Sequence, residues 1–144
     1  MTANTHKTIL GFDFGKKYIG VAVGQAITGT ATPLGSVKAK NGIPNQQQLK
    51  SYFDEWQPDL IVVGLPLNMD GTPQQVTFDA KKFGNRLAHD YKTPIEFVDE
   101  RLTTADAKQH LFDHGGYRNL SKDNIDAESA RLIVESYFES TYGE

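Results

Sequence analysis

The sequence predicts an α/β protein built on a mixed five-stranded sheet with helices on both faces. Three observations carry this. The first forty residues hold three strand-like runs separated by short turns. The remainder alternates apolar strands with stretches of helical periodicity, so the order reads βββαβαβαα. A chain of 144 residues also suits one layered domain, since at that size roughly two-thirds of the extended-chain surface is buried without staples.

Residues 8–14 and 18–24 are apolar runs joined by Gly15-Lys16-Lys17, which reads as a hairpin whose turn uses Gly15 and Gly20. Residues 28–38 carry Thr, Val and Leu together with Pro33. A proline lacks the ladder N–H, so this third strand belongs at or near an edge. A helix starts at Pro44 or Asn45, because proline suits the first helical turn. Leu49, Tyr52, Phe53 and Trp56 then share one face, and Pro58 stops it. Leu60-Ile61-Val62-Val63-Gly64-Leu65 is the continuous apolar run of a strand covered on both faces. Residues 66–73 form a loop with an Asp70-Gly71 turn signal. A second helix over 74–90 places Val76, Ala80, Phe83 and Leu87 on one stripe, and 95–99 is the fifth strand. Thr103 or Thr104 caps a third helix running toward His114 and ending at Gly115-Gly116. The last helix covers 123–141.

Composition narrows the class. Apolar content of 38% and charged content of 23% match an ordinary soluble domain. Cysteine is absent, which excludes disulfides and thiolate metal sites. No run approaches the roughly 20 apolar residues of a membrane span. Met1 to Lys7 is polar and lacks the apolar centre of a signal peptide, so the expected location is the cytoplasm, with 1–7 a flexible N-terminus and 1–144 a single domain. The net charge of −3 argues against a nonspecific nucleic-acid coat but leaves room for an enzyme with local basic patches.

Chemistry points to the acids. In open α/β sheets the site lies at the carboxyl ends of strands. Asp13 closes the first strand, and Asp99-Glu100 close the last. Asp126 falls in phase with Ala130, Ile133 and Tyr137, so it opens the inward face of the final helix. Each acid alone has a plainer use: a turn residue, an ion pair with Arg101, a helix-dipole partner. Together they resist that account. Two carboxylates about 5 Å apart repel by about 3 kcal/mol at an effective dielectric near 20. A proton or a hard cation between them removes the conflict, and Mg²⁺ or Mn²⁺ prefers carboxylate oxygen. A pair of such ions about 4 Å apart activates water against a phosphodiester. Position alone leaves open whether Asp99 or Glu100 takes part.

Four segments carry a resemblance: Asp13-Phe14-Gly15-Lys16-Lys17-Tyr18-Ile19-Gly20-Val21-Ala22, Gly64-Leu65-Pro66-Leu67-Asn68-Met69-Asp70-Gly71-Thr72, Asp99-Glu100-Arg101-Leu102-Thr103-Thr104 and Asp126-Ala127-Glu128-Ser129-Ala130. In this order and spacing they resemble the YqgF (RuvX) family over nearly the whole chain. The resemblance implies a ribonuclease H-like fold related to the RuvC resolvases. It implies a nuclease dependent on one or two Mg²⁺ or Mn²⁺ ions, with Asp13, Glu100 and Asp126 as its catalytic and metal-holding acids. It further implies maturation of the 5′ end of pre-16S ribosomal RNA, with Holliday junction resolution as the family's earlier assignment. Ribonuclease H and RuvC sites usually supply four acids; here three are clear, and Asp123, one turn before Asp126, is a candidate fourth.

Around the acids, Lys16, Lys17, Asn68, Thr72, Arg101 and Arg118 are the expected nucleic-acid contacts. Lys16 and Lys17 follow Asp13 on the hairpin, and Asn68 and Thr72 sit in the loop after a buried strand. Arg101 is the preferred phosphate contact, with pairing to Asp99 as its competing use. Gly115-Gly116-Tyr117-Arg118 offers a stacking ring on a loop. His110 and His114 have i, i+4 spacing but lack the glutamate of a zinc protease motif, so they read as helix-end residues. Two other functions compete: a non-catalytic RNA-binding ribosome-assembly factor, and a fragment of an actin-like ATPase, for which the second domain is missing. A nucleic-acid partner is expected, pre-ribosomal RNA before branched DNA, with no membrane and a monomeric or homodimeric state.

Overall fold

Thr8–Asp13 (β1), Tyr18–Gln25 (β2), Thr30–Lys40 (β3), Ile43–Pro44 (β4), Leu60–Leu65 (β5) and Ile95–Asp99 (β6) form one mixed sheet in the spatial order β4-β3-β2-β1-β5-β6. The structure is a computed structural model that describes residues 8–102 and 122–142. Gln46–Trp56 (α1), Gln75–Tyr91 (α2) and Lys122–Tyr142 (α3) are its described α-helices. The expected helix between Thr103 and His114, the loop at Gly115-Gly116, Arg118 and the N-terminal segment 1–7 lie outside the described residues.

β1 sits at the centre. It pairs antiparallel with β2 and parallel with β5, and β5 pairs parallel with β6. The apolar run Leu60–Val63 is buried, as expected of a strand covered on both sides. Pairing alternates side chains across the sheet. Leu10, Phe12, Ile61 and Val63 face α1 and α2, where they pack with Leu49, Phe53, Ala80, Phe83 and Leu87. Ile9, Leu60, Val62 and Val98 face α3, against Ala130, Ile133, Val134 and Tyr137. Phe12 anchors the first core, its ring centroid 6.1 Å from that of Phe53 and 5.7 Å from that of Phe83. Helices therefore cover both faces.

The sheet has one strand more than the sequence suggested. Pro44 is not the first helical residue; it ends β4, which folds back on β3 through Lys40↔Ile43 and Ala39↔Pro44. The cause is Asn41-Gly42, both with left-handed φ, 53° and 83°, as a two-residue hairpin turn requires. Asn45 then caps α1, its side chain accepting from the Gln48 amide at 2.9 Å. Pro33 lies in β3 opposite Ala22, beside a register shift in β2. β4 covers β3 only at Ala39 and Lys40, so the missing N–H of Pro33 faces an uncovered stretch of edge.

Candidate active site

Strand parity places Asp13 on the α3 face, in phase with Ile9 and Gly11. It is the last residue of β1, half-buried, with a glycine on each side. Asp13 pairs with Gly20 of β2. On the other flank the parallel ladder runs Phe12↔Val63, so one step further Asp13 lies beside Gly64 of β5. Adjacent strands are about 4.8 Å apart, and both neighbours of Asp13 therefore present bare backbone.

Those two glycines are the clearings into which the other acids reach. A methyl group on Gly20 would overlap the Asp126 carbonyl oxygen, standing 2.5 Å from its carbonyl carbon and 3.2 Å from its Cα. A methyl group on Gly64 would stand 2.7 Å from Glu100 Cγ and 3.0 Å from Glu100 Oε2. The first turns of α3 thus rest on one flank of Asp13, and the Glu100 side chain lies over the other. Asp126 opens the helix face that Ala130, Ile133 and Tyr137 bury, and its Oδ2 is shut off from solvent. The use expected of Gly20 is corrected here: it has no left-handed φ and lies within β2, where it gives clearance instead of a turn. Gly15 does stand in the turn between β1 and β2, where a methyl group would overlap the Tyr18 carbonyl oxygen. Gly71 does take the left-handed φ, 89°, that the Asp70-Gly71 signal foretold.

The structure separates Asp99 from Glu100. Asp99 ends β6 opposite Leu65, and its carboxylate is taken by Arg101. Arg101 donates from Nε at 3.1 and 3.0 Å, from Nη2 at 2.6 Å and from its own amide at 2.9 Å. Those bonds hold the Asp99 carboxyl below the usual carboxylate range and push the Arg101 guanidinium above its own. The next residue, Glu100, enters a 3-10 turn over Glu100–Leu102, and its side chain lies above Gly64.

The expected nucleic-acid contacts are dispersed. Arg101 is bound to Asp99 and also donates from Nη1 to the Met69 carbonyl at 3.2 Å, so the pairing foreseen for it is present. Asn68 and Thr72 fold their own loop. Asn68 Nδ2 donates to Thr72 Oγ1 at 2.9 Å, and Thr72 donates from Oγ1 and amide to Asp70 Oδ1 at 2.7 and 3.0 Å. The Thr72 bonds, side chain first, lower the Asp70 pKa. Lys16 leans the opposite way from the acids, its Nζ 3.8 Å from Asp79 of α2. Lys17 is exposed, and its carbonyl accepts from Ala39 at 2.8 Å. Asp123 is in α3, but its side chain lies outside the described residues, as do His110 and His114.

The donor chemistry fits a hard divalent ion: oxygen only, with glycine clearings that let acids crowd the end of one strand. The spacing is not preset. Among the described residues no three His, Cys, Asp or Glu side chains already stand in a metal-holding group.

A six-stranded mixed sheet with helices on both faces is the ribonuclease H-like fold of the resolvases. Solved structures of that type superpose over most of the chain. The fowlpox virus resolvase bound to Holliday junction DNA matches with a TM-score of 0.59 at 12% identity, covering 94% of this chain and 99% of that one. T. thermophilus RuvC with a Holliday junction substrate matches at 0.56 and 16% identity, covering 96% and 97%. Identities this low speak for the fold alone. The family follows from sequence: the RuvX model, described as Holliday junction resolvase, matches residues 7–140, and the chain belongs to that family. Curated relatives named "Putative pre-16S rRNA nuclease" include one from Colwellia psychrerythraea, 70% identical over 94% of this chain and 92% of its own length. Another, from Pseudoalteromonas translucida, is 60% identical over 96% and 93%. The chain is a nuclease, and nucleic acid is its substrate class. Nucleases of this fold generally use divalent metals. No helix among the described residues is long and apolar enough to cross a membrane.

Proposed function

We propose that this chain is a Mg²⁺- or Mn²⁺-dependent phosphodiester hydrolase that matures the 5′ end of pre-16S ribosomal RNA in the cytoplasm. It would act as a single nuclease domain spanning residues 1–144. One observation carries the reading: the first turns of α3 at Asp126 and the Glu100 side chain occupy the two glycine clearings that flank Asp13. The substrate is the one in the names of its relatives at 60–70% identity.

Asp13, Glu100 and Asp126 are the residues that would hold one or two ions. Bound there, such an ion would lower the pKa of water and offset charge on the leaving oxygen. The protein's own part is positioning. β1 and the α3 start are packed elements, so they present Asp13 and Asp126 from rigid backbone. Glu100 sits on a short turn that carries its side chain over Gly64. Isosteric neutralisation tests this. Asp13→Asn, Glu100→Gln and Asp126→Asn are each expected to abolish Mn²⁺-dependent cleavage while circular dichroism stays native. Full cleavage by all three variants refutes the assignment.

Branched DNA is the second reading, favoured by the family description. A Holliday junction resolvase would act as a two-fold dimer matching its substrate, whereas an RNA trimmer works as a monomer. The purified protein with Mn²⁺, offered a Holliday junction, single-stranded RNA and a precursor rRNA fragment side by side, separates the two.

A further inference from the structure

We infer that Arg101 is a positioning residue, a clamp that locks the loop between β5 and α2 onto the end of β6, and with it the turn that carries Glu100. Three elements meet in its guanidinium. Nε and Nη2 grip the Asp99 carboxylate as a fork, Nη1 reaches across to the Met69 carbonyl, and Gly71 lies beneath. A methyl group on Gly71 would come within 3.3 Å of Nη1, so the turn packs directly on the fork. The loop is already ordered within itself: the Asn68 amide donates to Thr72 at 2.9 Å and the Gly71 amide to Asn68 at 2.8 Å. What Arg101 adds is the link between this folded unit and the strand end. Isolated exposed ion pairs do little, but a bidentate arginine with a carbonyl as its further acceptor has fixed geometry. A lysine offers a single point charge and cannot replace the fork.

The position of the clamp gives it consequence. Glu100 lies between Asp99 and Arg101 in sequence, and the Asp99–Arg101 bonds close the 3-10 turn around it. Loosening the fork would loosen the turn that carries Glu100 and release the loop from the strand in one event. The loop tip, Met69, is 91% exposed and points away from the body of the protein on this braced unit. The clamp reading therefore sets Arg101 apart from the cations expected to bind phosphate, and it rests on the proposed role of Glu100 only for its effect on turnover.

A double-mutant cycle decides it, using Asp99→Asn, Arg101→Gln and the pair, with Arg101→Lys alongside. Amide hydrogen exchange at Gly71 and Thr72 reads the loop whether or not the protein cleaves anything. Both single variants and the double are expected to speed exchange equally, on the order of tenfold, as for loss of a charge-assisted bond. Arg101→Lys should recover little. kcat should fall together in the three variants. The KM for a short single-stranded RNA, and the salt slope of its binding, should stay at wild-type values. A phosphate contact gives the opposite pattern. Arg101→Gln alone would then weaken RNA binding and lower the salt slope by about 0.7, Asp99→Asn would leave or strengthen binding, and loop exchange would not change. That pattern overturns the clamp. Slow, wild-type exchange in Arg101→Gln overturns it independently of any nuclease assay.

Discussion

Replacing Gly20 by alanine should disable the site without removing any acid. The new methyl would overlap the Asp126 carbonyl oxygen and stand 2.5 Å from its carbonyl carbon, where ordinary van der Waals contact begins near 3.4 Å. The start of α3 must therefore retreat by more than about 1 Å, because its obstacle is backbone and cannot change rotamer. Overpacking of this kind costs about 1–3 kcal/mol, a fall in melting temperature of about 3–10 °C for a chain this size. Asp126 moves with the helix, and a shift near 1 Å in a catalytic group can cost about 10²-fold in rate. Gly24→Ala is the matched control. It lies on the same strand, but its methyl would meet side-chain atoms, Val134 Cγ1 at 2.5 Å and Phe138 Cζ at 3.1 Å, and it pairs with Ile9 at the opposite end of β1. Differential scanning fluorimetry and a Mn²⁺-dependent cleavage assay on both variants should show similar destabilisation, with activity lost only in Gly20→Ala. Full activity in Gly20→Ala, or equal loss in Gly24→Ala, refutes the view that clearance over Gly20 seats Asp126.

Three further outcomes follow from the packing and the charges. Phe12→Ala, at a side chain with no solvent exposure, should cost about 3–5 kcal/mol in chemical denaturation, whereas Phe12→Leu should cost far less. Thr77 is buried; its hydroxyl donates to the Pro66 carbonyl and accepts from the Gln74 amide. Thr77→Val strands both partners and should cost about 1–3 kcal/mol on the same measurement. Asp99 and Asp70 both have folded pKa values below the ordinary one. An unfolded aspartate titrates near 3.9, so their contribution is complete above about that pH and disappears as pH falls through the lower folded values. Urea unfolding should accordingly show a midpoint that falls below about pH 4, and Asp99→Asn should flatten part of that fall.

The sequence by itself placed most of the described elements and singled out the candidate acids. Continuous apolar runs such as Leu60–Val63 and the stripe Leu49, Tyr52, Phe53, Trp56 are local patterns with a single best secondary structure, and β5 and α1 lie where those patterns place them. The hairpin at Asn41-Gly42 was equally local, a two-residue turn signal overshadowed by Pro44 as a helix start. Helical phase alone put Asp126 on the inward face. Position alone could not separate Asp99 from Glu100; resemblance to the family favoured Glu100, and only tertiary structure shows how their surroundings differ: Arg101 captures one, and the 3-10 turn carries the other over Gly64. The same holds for Gly20. In sequence it reads as turn chemistry. Only strand register, which sets it opposite Asp13, and helix packing, which brings Asp126 onto it, show that it is there for lack of a side chain. Local patterns follow from a residue and its near neighbours, whereas clearance and pairing depend on residues far apart in the chain, and those meet only when the sheet and α3 close on each other.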